Sequence, residues 1–288
     1  MSTTPYEAFL ASEFSPAAPE AARFHVIPVP YERTVSYGHG TAEGPRALLA
    51  ASQQMEAFDE AGTASDAAIY TSPPVDCRGT PEEVRDHIAA AVAYARARSA
   101  VPVVLGGEHT VTLGAVTALV RDGVPFGVVQ IDAHADLRNQ YEGTPLSHAC
   151  VMRRVWELDV PIAQLGVRSL SREEHHFRRV QGIWHIDAST FAADGVPAEV
   201  LPDAFPECIY ITVDVDGLDP SIMPGTGTPE PGGLGWYQAL ELLNRVARGR
   251  QVVGFDVVEL APIPGMQVSE YTAAKLVYKL MALVERQG

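Results

Sequence analysis

The segment Asp132-Ala-His134-Ala-Asp136 places an acid, an imidazole and a second acid at alternate positions, directly after the apolar run FGVVQI. Ionised carboxylates are costly to desolvate unless a positive charge sits among them. The pattern therefore marks either a solvated loop or a cation site. Three other apolar runs end in a similar way. VPVVL leads into Gly106-Gly107-Glu108-His109, CIYITV into Asp214-Val215-Asp216 and then Gly217-Leu218-Asp219-Pro220, and VVGFDVV into Glu259. Two His and four Asp, with no Cys among them, make a hard oxygen-and-nitrogen donor set that suits Mn²⁺, although affinity alone does not select manganese. Four carboxylates are balanced by two divalent ions. Such a pair, roughly 3.5–4 Å apart, lowers the pKa of a shared water enough to supply hydroxide near neutral pH.

These residues act together only if the chain brings the four segments to one place. Short β-rich runs alternate with helical patterns, and strands are expected at Phe24–Val29, Val101–Leu105, Phe126–Ile131, Ile162–Val167, Gly182–Ile186, Cys208–Val213 and Val252–Val257. Several are continuously apolar, as in parallel strands covered on both faces. Helices are expected after Thr80-Pro81-Glu82-Glu83, which reads as a capping box with proline in the first turn, over Trp236–Ala247, and from Ser269 through Val284. This alternation argues for a single α/β domain over 1–288, with Met1–Ala22 loosely held. In an open parallel sheet the carboxyl ends of the strands share one edge, where ligands bind. The four acid- and histidine-bearing segments would then meet in one crevice.

Composition narrows the partners. The 288 residues carry a formal net charge of −15, which argues against nucleic acid and favours a small cationic substrate. Three cysteines, Cys77, Cys150 and Cys208, form no paired framework and suit a reducing compartment. The N-terminus lacks the basic flank and long apolar core of a secretory leader. No apolar stretch is long enough to span a membrane. A cytoplasmic protein is expected.

With these blocks in view, the chain resembles the ureohydrolases, the arginase and agmatinase family. The resemblance rests on GGEH at 106–109, DAHAD at 132–136 and DVDGLDP at 214–220, with SHA at 147–149 and DVVELAP at 256–262. It implies a three-layer α/β/α arginase-like fold with a central, mainly parallel sheet, and two Mn²⁺ ions per subunit. One metal would be held by His109, Asp132, Asp136 and Asp214, the other by Asp132, His134, Asp214 and Asp216, with Asp132 and Asp214 bridging. His148 matches the proton-transfer histidine, Asp136 would orient the hydroxide, Glu259 matches the acid that holds a guanidinium, and Thr228 matches a substrate-side hydroxyl. Trimers or hexamers are implied. Glu108 and Thr110 stand where Asp and Ser are frequent, and Ala149 where Gly often follows the histidine.

The loop Leu137–Ser147, together with Pro30-Tyr31-Glu32 and Ser36-Tyr37-Gly38, looks like agmatinases and lacks the Asn- and Ser/Thr-rich pattern that grips an α-amino acid head. The expected reaction is hydrolysis of agmatine to putrescine and urea. Aminopropylagmatine, guanidinobutyrate, arginine and formiminoglutamate are the alternatives within the family. A deacetylase-like enzyme with one zinc would need fewer carboxylates. A non-catalytic polyamine-binding or scaffolding role would be expected to have lost a ligand or His148. Plainer roles fit other residues: Cys150 as a small core hydrophobe, Glu259 as a partner of Arg168, and His175-His176 as part of a solvated helix face.

Overall fold

A computed structural model describes residues 6–58, 68–123 and 125–287. Eight strands form one sheet: β1 (Phe24–Val29), β2 (Ile69–Thr71), β3 (Val101–Gly106), β4 (Gly127–Ile131), β5 (Ile162–Leu165), β6 (Trp184–Ile186), β7 (Cys208–Asp214) and β8 (Gln251–Val258). Every pairing is parallel, in the order β2-β1-β3-β8-β7-β4-β5-β6. All seven expected strands form. The three-residue edge strand β2 is additional, and is too short for a hydrophobic period to reveal it.

The helices are α1 (Gly44–Ser52), α2 (Pro81–Arg96), α3 (Thr112–Arg121), α4 (Val151–Trp156), α5 (Arg172–Val180), α6 (Ala188–Asp194), α7 (Trp236–Val246) and α8 (Val268–Glu285). One face of the sheet packs against apolar residues of α1, α6, α7 and α8, including Leu48, Phe191, Leu242 and Leu276. The other face packs against α2 to α5 through residues such as Val84, Val116, Met152 and Phe177. The result is the three-layer α/β/α arrangement. Parallel strands buried on both faces explain the continuously apolar runs.

α2 begins as its sequence dictates. The Thr80 side chain accepts from the backbone N–H of Glu83, and the Glu83 carboxylate accepts from that of Thr80. The segment expected to be loose is docked from Tyr6 onward. Phe9 and Leu10 are buried, the Leu10 N–H donates to Ser52 Oγ at 2.9 Å, and the Ala17 N–H donates to the Ile69 carbonyl at 2.8 Å. Its Ala, Pro and Glu content hid two apolar anchors. Among the described residues no helix is long and apolar enough to cross a membrane.

The chain order places the chemistry. β3, β8, β7 and β4 are consecutive neighbours at the centre of the sheet. They are the four strands whose carboxyl ends lead into His109, Glu259, Asp214 and Asp132. Gly107 permits the turn out of β3 to lie against the β1 exit, because a Cβ there would stand 1.9 Å from the Tyr31 carbonyl oxygen.

Candidate metal and catalytic site

The cluster is built around His109 Nδ1. This atom lies 3.1 Å from Asp132 Oδ2, 3.1 Å from Asp136 Oδ2 and 3.3 Å from Asp214 Oδ2. Beside it, His134 Nδ1 is 3.0 Å from Asp216 Oδ2 and 3.6 Å from Asp132 Oδ1. Asp132 thus turns one oxygen toward each histidine. Two groups, His109–Asp132–Asp214 and Asp132–His134–Asp216, have donor atoms close enough to hold an ion each.

The electrostatics of the cluster call for cations. Burial, followed by the charges of Asp216 and Asp132, pushes the Asp214 carboxyl well above the usual range. Burial and the Asp132 charge push Asp136 up to about 7. For His134, burial alone would lower the pKa, but hydrogen bonding with Asp132 and Asp216 drives it up to about 12. Without metal, this site gathers protons to offset its negative charge.

A second row of side chains decides which nitrogen of His109 faces the acids. His109 Nε2 lies 2.9 Å from Thr212 Oγ1, whose own hydroxyl donates to Asp256 Oδ1 at 2.5 Å. Asp256 also accepts from the Tyr210 hydroxyl and Thr112 Oγ1, each at 2.8 Å. With its proton committed to Asp256, Thr212 accepts from His109 Nε2–H. Nδ1 is left as a buried nitrogen facing three carboxylate oxygens. Burial alone would lower the His109 pKa, but hydrogen bonding with Asp132, Asp136 and Asp214 outweighs it and raises the pKa, so in metal-free protein a proton sits on Nδ1, where a metal ion would take the lone pair.

On the other flank Gln130 Nε2 donates to Asp132 Oδ2 at 2.7 Å, and Gln164 Nε2 donates to Gln130 Oε1 and to the Ala135 carbonyl, both at 2.6 Å. Gln164, Gln130, Thr212 and Asp256 are register partners across β5, β4, β7 and β8. All four are fully buried. They form one hydrogen-bonded polar row under the site, in which only Gln164 Oε1 lacks a partner among the described residues. None was singled out for a role from sequence. The available signal was a lone polar residue inside each of four apolar runs.

The cluster opens on a pocket of about 300 Å³ whose lining includes His134, Asp136, His148, Asp214, Asp216, Thr228 and Glu259. Every expected site residue except the fully buried His109 and Asp132 reaches this wall, and those two lie immediately behind it. Thr228 Oγ1 donates to Asp216 Oδ2 at 3.3 Å. Glu259 Oε1 accepts the backbone N–H of His109 at 2.6 Å. Burial pushes the Glu259 carboxyl up, and the Glu108 charge adds to that effect. Asp136 and Glu259 adopt left-handed backbone, with φ of 52° and 64°. Such conformations cost about 1–3 kcal/mol in non-glycine residues and collect at functional sites.

Arg168 is not the partner of Glu259. It donates to the carbonyls of Gly166, Asp216, Glu230 and Pro231, clasping the loop that carries Thr228. Burial raises the Cys150 thiol to about 11, which suits a core residue rather than a nucleophile. His175 and His176 are exposed as expected. Two other residues of α5 depart from the solvated-face expectation. Arg178 forms a paired contact with Asp187 at 2.7 and 2.9 Å. Glu174 accepts from the N–H groups of Leu137 and Ser171 while lining the pocket. A helix rich in charge conceals which of its acids turns inward.

The family model described as Arginase family matches residues 22–283. An N(1)-aminopropylagmatine ureohydrolase of Synechocystis is 43% identical, with 95% of this chain and 92% of the relative covered. An agmatinase of Pyrococcus horikoshii is 34% identical over 92% of this chain and 93% of its own. The crystal structure of the agmatine ureohydrolase of Thermoplasma volcanium superposes with a TM-score of 0.87 at 30% identity, covering 99% of this chain and 96% of that one. Together with the paired His/Asp clusters at the tips of the central strands, these likenesses identify the chain as a member of the arginase family, a ureohydrolase.

Proposed function

We propose that this ureohydrolase is a manganese-dependent enzyme that hydrolyses the terminal guanidinium of a polyamine-type substrate, with N1-aminopropylagmatine preferred and agmatine second. The observation that carries the reaction is the metal-facing Nδ1 of His109 among three carboxylates, beside a pocket that Glu259 enters. His109, Asp132, Asp136 and Asp214 would hold one ion, and Asp132, His134, Asp214 and Asp216 the other. The metals would supply a hydroxide nucleophile near neutral pH.

The remaining steps belong to side chains. Glu259 accepts paired, charge-assisted hydrogen bonds from the planar guanidinium and sets its carbon in line for attack. Asp136 orients the hydroxide and accepts its proton. His148 delivers a proton to the departing amine as the carbon–nitrogen bond breaks. Water and aminopropylagmatine give urea and spermidine; agmatine gives urea and putrescine. Thr228 supplies a hydroxyl on the substrate side of Asp216.

The preference for the longer substrate is supported by the 43% identical relative that carries this name and by the chain's net charge of −15. Glu174 in the pocket wall suits a cationic tail. One observation favours a different tail. Arg138 also lines the pocket, 3.8 Å from Glu174 and over the Tyr141 ring, and would attract a carboxylate such as that of guanidinobutyrate. A working assembly of trimers or hexamers belongs to the same proposal, as does a cytoplasmic location.

Urea release from aminopropylagmatine, agmatine, guanidinobutyrate and arginine, with formamide release from formiminoglutamate, tests the substrate on one manganese-loaded preparation. The expected order is aminopropylagmatine, then agmatine, with the others far behind. Faster turnover of guanidinobutyrate or arginine overturns the tail assignment and leaves the metal chemistry standing.

A further inference from the structure

His148 lines the pocket, yet nothing in the metal cluster holds it. Its contacts lead instead to the loop that follows β1. The His148 backbone N–H donates to Thr34 Oγ1 at 3.1 Å, and its ring Nδ1 lies 3.2 Å from the same oxygen. Thr34 is in turn held by Glu108. Its hydroxyl donates to Glu108 Oε1 at 2.8 Å, while the N–H groups of Arg33 and Thr34 donate to Oε2 at 2.5 and 2.6 Å. Thr110 Oγ1 donates to Oε1 at 2.6 Å. Glu108 is fully buried, so four donors converge on one carboxylate.

The proton count follows from these contacts. A threonine hydroxyl has one proton, and here it goes to Glu108. Thr34 Oγ1 can then only accept, so the proton between it and His148 sits on Nδ1. Nε2 has no protein hydrogen bond among the described residues and is not a buried, unpaired atom. It is the nitrogen left open to the pocket that His148 lines. Ser147 Oγ, at 3.4 Å from Nδ1, is a longer second contact, and the Tyr141 ring stands edge-on with centroids 5.7 Å apart.

We propose that Thr34, anchored by Glu108, is a positioning residue that fixes the tautomer and orientation of His148 so that Nε2 exchanges the proton with the leaving amine. The inference rests on the assignment of His148 to proton transfer. It also gives a function to the unusual Glu at position 108: the extra methylene carries the carboxylate to the Arg33 and Thr34 amides. The bidentate grip sets the loop, and the loop sets the hydroxyl that meets the imidazole. An orienting partner of this kind controls which ring nitrogen carries the proton.

The test uses whichever guanidino substrate is hydrolysed fastest, with rates normalised to folded, manganese-loaded protein. Thr34→Val keeps the shape and removes the hydroxyl. It should lower kcat by about tenfold or more, in the range of general acid–base effects, with KM and bound manganese unchanged. Thr34→Ser should restore the rate toward that of the parent. In a His148→Asn background Thr34→Val should cost nothing further, because residues acting as a unit are not additive. Should the valine variant fold poorly, Thr34→Ala provides the same comparison. Full activity of His148→Asn would remove the proton-transfer assignment itself. A crippled His148→Asn beside an unaffected Thr34→Val, or a full additive loss in the double variant, would overturn the positioning role alone.

Discussion

Two halves of the pocket are built by different means. The half proposed to hold the metals stands on the tips of β3, β8, β7 and β4, four adjacent strands whose register is shared across the sheet. Its residues are buried except for the half-buried His134, and a polar row supports them from below. The half proposed to meet the substrate is assembled from loops and one helix start: Ser36 after β1, Arg138 and Tyr141 after β4, Ser171 and Glu174 at the start of α5, and Thr228 after β7. Strand tips hold atoms at fixed spacing because neighbouring backbones are hydrogen-bonded into a lattice. Loops hold them through side-chain clasps such as Arg168 on the Glu230 carbonyl or Glu108 on Arg33 and Thr34. On the proposed reading, the chemistry sits on the lattice and the choice of substrate on the clasps.

The sharpest way to break this division is to remove a residue proposed to be shared by both ions. Asp132→Ala and Asp214→Ala should each abolish manganese binding at both positions and lower turnover by about a thousandfold or more, the scale of losing preorganised electrostatic stabilisation. His109→Ala should weaken mainly one ion. Metal analysis of each purified variant, beside urea production, reads both effects. Retention of one full equivalent of manganese in Asp132→Ala would show that the carboxylate does not bridge.

Glu259 lies at the boundary of the two halves, just past a strand tip and lining the pocket. Glu259→Gln removes a charge while its amide oxygen can still accept the His109 N–H. Fold and metal content should therefore survive. Burial holds the native carboxyl well above its ordinary range, so removing it should leave the melting temperature unchanged or raise it. Turnover should fall about a hundredfold if one charge-assisted contact of roughly 3 kcal/mol is lost in the transition state. An unchanged rate in folded, metal-loaded protein would take Glu259 out of the site.

The same division explains what the sequence disclosed. A candidate ligand such as Asp132 follows an apolar run at a telling spacing, and the parallel sheet places such residues on one edge, so the gathering of the His/Asp cluster was legible. Glu174 and Arg178 were not, because a short helix with seven charged or histidine residues in nine offers no apolar stripe to show which side faces inward. The row Gln164–Gln130–Thr212–Asp256 depends on register between strands far apart in the chain, which no single run contains. Thr34 was invisible for a related reason. Its importance lies in a contact with a residue 114 positions away.

The smallest expected effect concerns how pH couples to the metal half. In metal-free protein Asp136 is raised to about 7, by burial and then the Asp132 charge, and Asp214 is raised as well. Between about pH 4 and 7 the folded chain keeps protons on these acids that an unfolded chain has released. Unfolding then sheds protons, so stability falls as pH rises through this window. His134, raised to about 12, acts in the same direction above its ordinary value near 6.5, because its stabilising proton is lost as pH climbs. Asp132 is shifted the opposite way: hydrogen bonds from His109 and His134 outweigh burial and hold it below the ordinary carboxylate range, so its contribution changes only at lower pH. On the proposed reading, manganese would replace the bound protons and bind more tightly as they leave. The gain in Tm on adding manganese to chelator-treated protein should therefore grow from pH 5 to pH 8, by a few degrees, with the metal-free Tm declining over the same range. Thermal unfolding scans at fixed ionic strength provide the measurement. A manganese-induced gain that is flat or shrinks with rising pH would mean that protons do not stand in for the metals, and that the cluster is held together by its polar row alone.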